Sequence, residues 1–181
     1  EAKLPSTYPD EKQSLDAYYK ELGSTCDEVR IMAYDMRFSD PILAKKESAP
    51  YIPSADVRTV RDSVEYIATS IPREKIVLGV ALYGYEYEVT ERATSTSYRL
   101  LWSFSPSYVK GVIAKHNLQV KHGESGEAYV TYQGPKNQTS SKSFANTEPF
   151  VTESEPKQPK AKYNVIWWSD KQAVEGKIEL A

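Results

Sequence analysis

Glu28-Val-Arg-Ile-Met-Ala-Tyr-Asp35 is a short apolar run that stops abruptly on a phenol and a carboxylate. β-Branched and apolar residues fill it, and the turn formers Ser39, Asp40 and Pro41 follow soon after; together these predict a buried parallel strand. A period of two would set Val29, Ile31 and Ala33 on one face and Arg30, Met32 and Tyr34 on the other. Tyr34 and Asp35 then fall at the C-terminal end of the strand, which is where parallel α/β folds bind ligands. Two further stretches repeat the design, Lys75-Ile-Val-Leu-Gly-Val-Ala-Leu-Tyr-Gly84 and Tyr163-Asn-Val-Ile-Trp-Trp-Ser-Asp170.

Taken in order, Met32-Ala33-Tyr34-Asp35, then Leu78-Gly79 through Tyr83-Gly84, then Val165-Ile166-Trp167 with Asp170, resemble the sixth, seventh and eighth strands of glycoside hydrolase family 18. That family contains chitinases and related peptidoglycan-cleaving hydrolases of spores and cell walls. The resemblance implies an α/β fold: the last three strands or so of a (β/α)8 TIM barrel, interrupted by a small α+β insertion domain. The expected organisation is barrel over residues 1–84, insertion over 85–162, and the last barrel strand with the start of the last helix over 163–181. A whole barrel would need about 250 residues, against the 181 present. Glu1 to Ser6 resembles the tail of a preceding strand, so the chain reads as a piece of a longer, exported protein.

The resemblance also assigns roles. The tyrosine matching Tyr34 holds the 2-acetamido group that serves as the substrate's own nucleophile, and a phenol suits this because it donates while neutral. Asp35 matches the carboxylate beside it. Met32, Tyr83 and Trp167 match the sugar-binding lining, Trp167 as its floor. The general acid belongs to a D-x-x-D-x-D-x-E signature, and none of the acidic clusters (Asp10-Glu11, Asp27-Glu28, Glu86 with Glu88, Glu124 with Glu127, Glu153 with Glu155) has that spacing. Tyr34 and Asp35 are therefore supporting catalytic residues, and these 181 residues alone should be inert. Ala81 and the pair Tyr85 and Tyr87 depart from the family pattern at the border of the sugar groove.

Composition narrows the partners. A formal charge of −2 and a pI near 5.8 disfavour nucleic acid, and no apolar run reaches the length of a membrane span. Fourteen tyrosines and three tryptophans suit a sugar surface as well as a core. His116 and His122 lack metal-ligand spacing, Cys26 stands alone, and no cofactor or metal is implied. Asn137-Gln-Thr139 matches a glycosylation sequon by pattern only. The implied partner is an N-acetylglucosamine-containing polysaccharide, and the implied location is extracellular, at a cell wall or spore. A lectin-like carbohydrate-binding protein or an interaction module is the alternative. Unpaired barrel strands exposing Met32, Tyr34 and Trp167 would favour a homo-oligomer.

Between these strands, the spacing of Val57, Val60, Val64, Ile67 and Ala68 predicts a helix opened by Ser54-Ala-Asp56. Helices are also expected over Ser14 to Leu22 (ending at Gly23), Pro106 to His116 and Lys171 to Leu180. Paired strands are expected at Leu118 to Val120 and Glu127 to Tyr132. Loops are expected up to Pro53 and over Gly134 to Lys162.

Overall fold

A computed structural model describes residues 9–36, 39–47, 49–134 and 160–180. The chain runs α1 (Pro9–Thr25), β1 (Val29–Met32), α2 (Pro41–Glu47), α3 (Val57–Ala68), β2 (Ile76–Gly79), β3 (Gly84–Glu91), β4 (Thr96–Phe104), α4 (Pro106–His116), β5 (Lys121–His122), β6 (Ala128–Tyr132), β7 (Ala161–Trp168) and α5 (Lys171–Ile178). The described residues form a mixed α/β fold with two sheets.

The smaller sheet pairs β1 with β2 in parallel, Val29 opposite Ile76 and Met32 opposite Gly79. Its faces divide as the alternation predicts. Ile31 and Ala33 are buried under α1 and α3 together with Tyr19, Val60, Val64 and Ile67, while Met32 on the other face is half exposed. The α3 stripe forms because Val60, Val64 and Ile67 recur at helical spacing and Asp56, rather than Ser54, caps the start by accepting from the Arg58 N–H. Helix α1 runs on past the expected stop at Gly23. A Cβ there would lie 3.1 Å from the Ser70 carbonyl oxygen, so this glycine permits close packing and does not end the helix. Helix α2, expected as loop, is opened by Asp40, whose Oδ1 accepts from the N–H groups of Ile42 and Leu43 at 2.9 Å each.

The larger sheet has five antiparallel strands in the order β4-β3-β7-β6-β5. Here the expected third barrel strand is corrected. Tyr163 to Trp168 lies in β7, between β3 and β6, antiparallel to both, and residues 161–168 therefore belong to this antiparallel sheet and not to a parallel one. The cause of the misassignment is physical. Val165, Ile166, Trp167 and Trp168 are all buried, and a continuous apolar run reports that both faces of a strand are covered, whichever way its neighbours run. On one face Ile166 and Trp168 pack with Phe104 and with Val109 and Val112 of α4. On the other, Val165 and Trp167 pack with Tyr51, Tyr85, Tyr87 and Tyr129. Gly84 allows this closeness, since a Cβ would lie 2.3 Å from the Trp167 carbonyl oxygen. Leu118 to Val120, expected as a strand, is not in one; the strand begins just after it, as β5. The expected loop falls outside the described residues from 135 to 159, as do the Glu1 to Ser6 tail and the sequon.

Two buried carboxyl groups organise this half. Glu86 points under α4 and accepts from Trp102 Nε1 at 2.6 Å, Tyr108 Oη at 2.9 Å, Asn164 Nδ2 at 2.6 Å and Tyr132 Oη. Burial first, and then the hydrogen bond to Glu86, push the Tyr132 phenol up to about 12. Glu127, with no exposed surface, accepts from Lys177 Nζ at 2.9 Å, Ser169 Oγ at 2.8 Å and the Ser54 N–H at 2.8 Å. It thereby joins β6, the end of β7, α5 and the loop before α3.

Removing one member of a buried ion pair strands the other. Lys177→Met should lower stability by about 3–5 kcal/mol in denaturant unfolding, and adding Glu127→Gln should recover part of that loss. A single variant with unchanged stability would show that the pair contributes nothing.

Candidate functional site

Strand β1 ends at Met32, and the chain beyond it turns. Asp35 adopts a left-handed backbone conformation with φ of 63°, uncommon for a residue with a side chain and tolerated best by Asp and Asn. Backbone held in such a region clusters at ligand-binding sites. The conformation aims the carboxylate at two tyrosines from the neighbouring connection. Tyr83 Oη donates to Asp35 Oδ1 at 2.7 Å, and Tyr85 Oη donates to the same oxygen at 2.5 Å. Tyr83 lies just before β3 and Tyr85 lies in it, so the larger sheet grips the end of the smaller one.

The aromatic rings form a chain. Tyr34 meets Tyr83 edge to face at 6.1 Å, and Tyr83 meets Tyr85 edge to face at 5.7 Å. Gly79, opposite Met32 in the register, allows close approach of the neighbouring strand, since a Cβ would lie 3.1 Å from the Ile31 carbonyl oxygen. Burial, then the hydrogen bond to Asp35, hold the Tyr83 phenol well above its usual range. It remains a neutral donor across physiological pH. With Oδ1 occupied twice over, Asp35 presents its remaining lone pairs outward as acceptors.

Of the residues expected in the site, the structure brings Tyr34, Asp35 and Tyr83 together, while Met32, at the end of β1, is half exposed. Trp167 is a correction. It has no exposed surface, stacks on Tyr129 at 4.6 Å and meets Tyr51 at 5.6 Å, so it offers no face to a sugar. Trp168 faces the other way and packs against α4, as the alternation predicts. Tyr85 was missed as a partner of Asp35. Its alternation with Tyr87 and Val89 would have placed it on one face of β3, but nothing in the chain's order says that this face meets Asp35. The histidines lie apart: His122 Nε2 is 2.8 Å from Asp170 Oδ2, and the His116 ring tilts against Tyr132. Among the described residues no group of three or more His, Cys, Asp or Glu could hold a metal ion, and no helix is long and apolar enough to cross a membrane.

A second polar constellation lies beyond Met36. Tyr51 Oη donates to Asp56 Oδ2 at 2.7 Å and accepts from Arg58 Nη2 at 2.6 Å. Arg58 also donates through Nε to Asp56 Oδ1 at 3.0 Å and through Nη2 to Oδ2 at 2.5 Å. Burial would push the Asp56 carboxyl up, but the hydrogen bonds from Arg58 and Tyr51 outweigh it and hold the group below its usual range.

These residues have relatives of known kind. The chain is 27% identical over 110 residues to the cortical fragment-lytic enzyme of Bacillus subtilis (strain 168), an alignment spanning 61% of this chain and 23% of that protein. The fold matches the spore cortex-lytic enzyme SleL of Bacillus cereus with a TM-score of 0.60 at 16% identity, covering 90% of this chain and 30% of the other. It matches a chitinase of Chromobacterium violaceum with a TM-score of 0.55 at 17% identity, covering 86% and 37% respectively. The chain thus spans well under half the length of these relatives. The sequence model of glycosyl hydrolases family 18 matches residues 2–181, and the chain belongs to that family.

Proposed function

We propose that these residues form the C-terminal part of a family 18 glycosidase that hydrolyses β-1,4-linked N-acetylglucosamine polymers, chitin or peptidoglycan, at a cell wall or spore. The observation that supports this best is Asp35, held in a left-handed conformation by two phenols at the C-terminal end of β1, with Tyr34 beside it. In the reaction, the acetamido carbonyl oxygen attacks the anomeric carbon as a general acid protonates the departing glycosidic oxygen. Water then opens the resulting ring and restores the acetamido group, with retention at the anomeric carbon. Tyr34 donates to the acetamido group, and Asp35 accepts from the sugar and supports the charge that develops. The acid lies outside these residues. Met32 and Tyr83 line the groove. A carbohydrate-binding protein without catalysis is the second reading.

Three outcomes are expected. The 181-residue chain should not hydrolyse a chromogenic chitooligosaccharide above background, because loss of a general acid alone forfeits about 10²–10⁴-fold; turnover abolished by Asp35→Asn would reveal an acid within the chain. In the longer protein, Tyr34→Phe should lower kcat by about 10-fold or more with its melting temperature unchanged. Unaltered kcat would return Tyr34 to a packing role. Because Met32 and Val77 of the small parallel sheet are exposed, the isolated chain should self-associate through that sheet. Sedimentation showing a monomer at tens of micromolar would refute this.

A further inference from the structure

The two phenols that hold Asp35 are anchored differently. Tyr83 lies outside the strands, just before Gly84 opens β3, and is only partly buried. Tyr85 lies inside β3, opposite Ser103 of β4 and Trp167 of β7, and is 8% exposed. It belongs to the buried cluster of Tyr51, Tyr87, Tyr129, Val165 and Trp167, and its ring meets those of Tyr83 at 5.7 Å and Tyr87 at 6.2 Å. Strand pairing on both sides and a filled core therefore fix where its hydroxyl stands. Asp35 is the opposite case. It is exposed, it follows β1 rather than lying in it, and its φ of 63° is a conformation that persists only where the surroundings impose it. Its carboxylate oxygen comes within 2.5 Å of the Tyr85 hydroxyl, inside the range of charge-assisted O–H···O bonds. Tyr83 donates to the same oxygen. Burial, the hydrogen bond to Asp35 and, last, a hydrogen bond to Tyr85 all hold the Tyr83 phenol up, so the three side chains form one cluster whose only buried member is Tyr85.

We propose that Tyr85 is a positioning residue for the glycosidase reaction: it touches no sugar, and its hydroxyl fixes the Asp35 carboxylate in the orientation in which the sugar meets it. The inference rests on the glycosidase reading and adds to it a residue that acts only through Asp35. Position 85 is one at which the sequence departs from the family pattern, so this hold on the carboxylate belongs to this chain. A carboxylate released from its fixed donor turns among other rotamers, and the exposed backbone that carries it relaxes. The reacting groups then align less often, which lowers turnover more than it weakens substrate binding.

The test uses the longer protein, with kinetics on a chromogenic chitooligosaccharide and with its aspartate carboxyl carbons isotope-labelled for NMR, the Asp35 signal being the one that Asp35→Ala removes. Tyr85→Phe keeps the ring in the core and deletes the donor. It should lower kcat about tenfold or more, with KM changed by no more than about twofold, and it should move the Asp35 carboxyl signal. Tyr85→para-aminophenylalanine, which restores a donor on the same ring, should recover most of kcat and return the signal toward its original place. In an Asp35→Ala background, Tyr85→Phe should cost nothing further, whereas a packing role would lower activity there as well. The proposal is overturned by a kcat and a carboxyl signal that Tyr85→Phe leaves in place, or by a loss that persists undiminished in the Asp35→Ala background. An unaltered protein without turnover defeats the glycosidase reading instead. The carboxyl signal then decides alone, its movement in Tyr85→Phe supporting the hold on Asp35 and its constancy overturning it.

Discussion

The Glu127–Lys177 pair is the joint on which the rest of the structure depends. Both side chains are almost wholly buried, and a buried ion pair persists only where its remaining hydrogen bonds are also made. Ser54 and Ser169 make them. Because Ser54 lies in the loop two residues before the Asp56 cap of α3 and Ser169 follows β7, the same carboxylate fixes the small parallel sheet's helix layer against the larger antiparallel sheet. A hydrophobic replacement could hold the volume but would not dictate which loop reaches the centre. The three converging partners restrict that choice to one arrangement.

Once the two sheets are fixed, the grip on Asp35 follows. Its carboxylate stands at the end of one sheet and both donors come from the other, so the hydrogen bonds form only if the sheets dock in register. The left-handed backbone at Asp35 costs something of order 1–3 kcal/mol, and two phenolic donors to one carboxylate oxygen offset that cost, each charge-assisted bond contributing about 1.5–3 kcal/mol. The site is thus a consequence of the interface between the sheets, and shifting the Glu127 joint should disturb Asp35 before it disturbs either core.

Much of this was legible in the sequence, for reasons that differ by element. Strand β1 announced itself because one face is buried and the other is not, and α3 because its stripe is regular. The carboxylate and phenol at the end of β1 were visible as residues that a buried strand would not otherwise need. β7 was misplaced because burial on both faces erases the alternation that would have shown an antiparallel neighbour. Trp167 was read as a sugar floor on the resemblance alone, which does not report burial. Tyr85, Tyr51 and Arg58 were illegible as partners because their contacts join segments far apart in the chain or depend on which loop lies over which face, and no periodicity encodes that.

Trp167 shows how the larger sheet makes its compromises. Its indole Nε1 is buried without a hydrogen-bond partner among the described residues, at a cost of about 1–3 kcal/mol. Phenylalanine would avoid that cost but would give up part of the stacked contact with Tyr129 and the edge contact with Tyr51. Aromatic pairs of this kind contribute about 0.5–1.5 kcal/mol each beyond the area they bury, so two of them roughly balance the orphaned N–H. What tips the choice is position. Tyr51 is also the phenol that bridges Asp56 and Arg58, and its ring meets the indole edge to face. The tryptophan therefore reaches the Asp56–Arg58 pair at second hand, through its contact with Tyr51, although it touches no solvent itself.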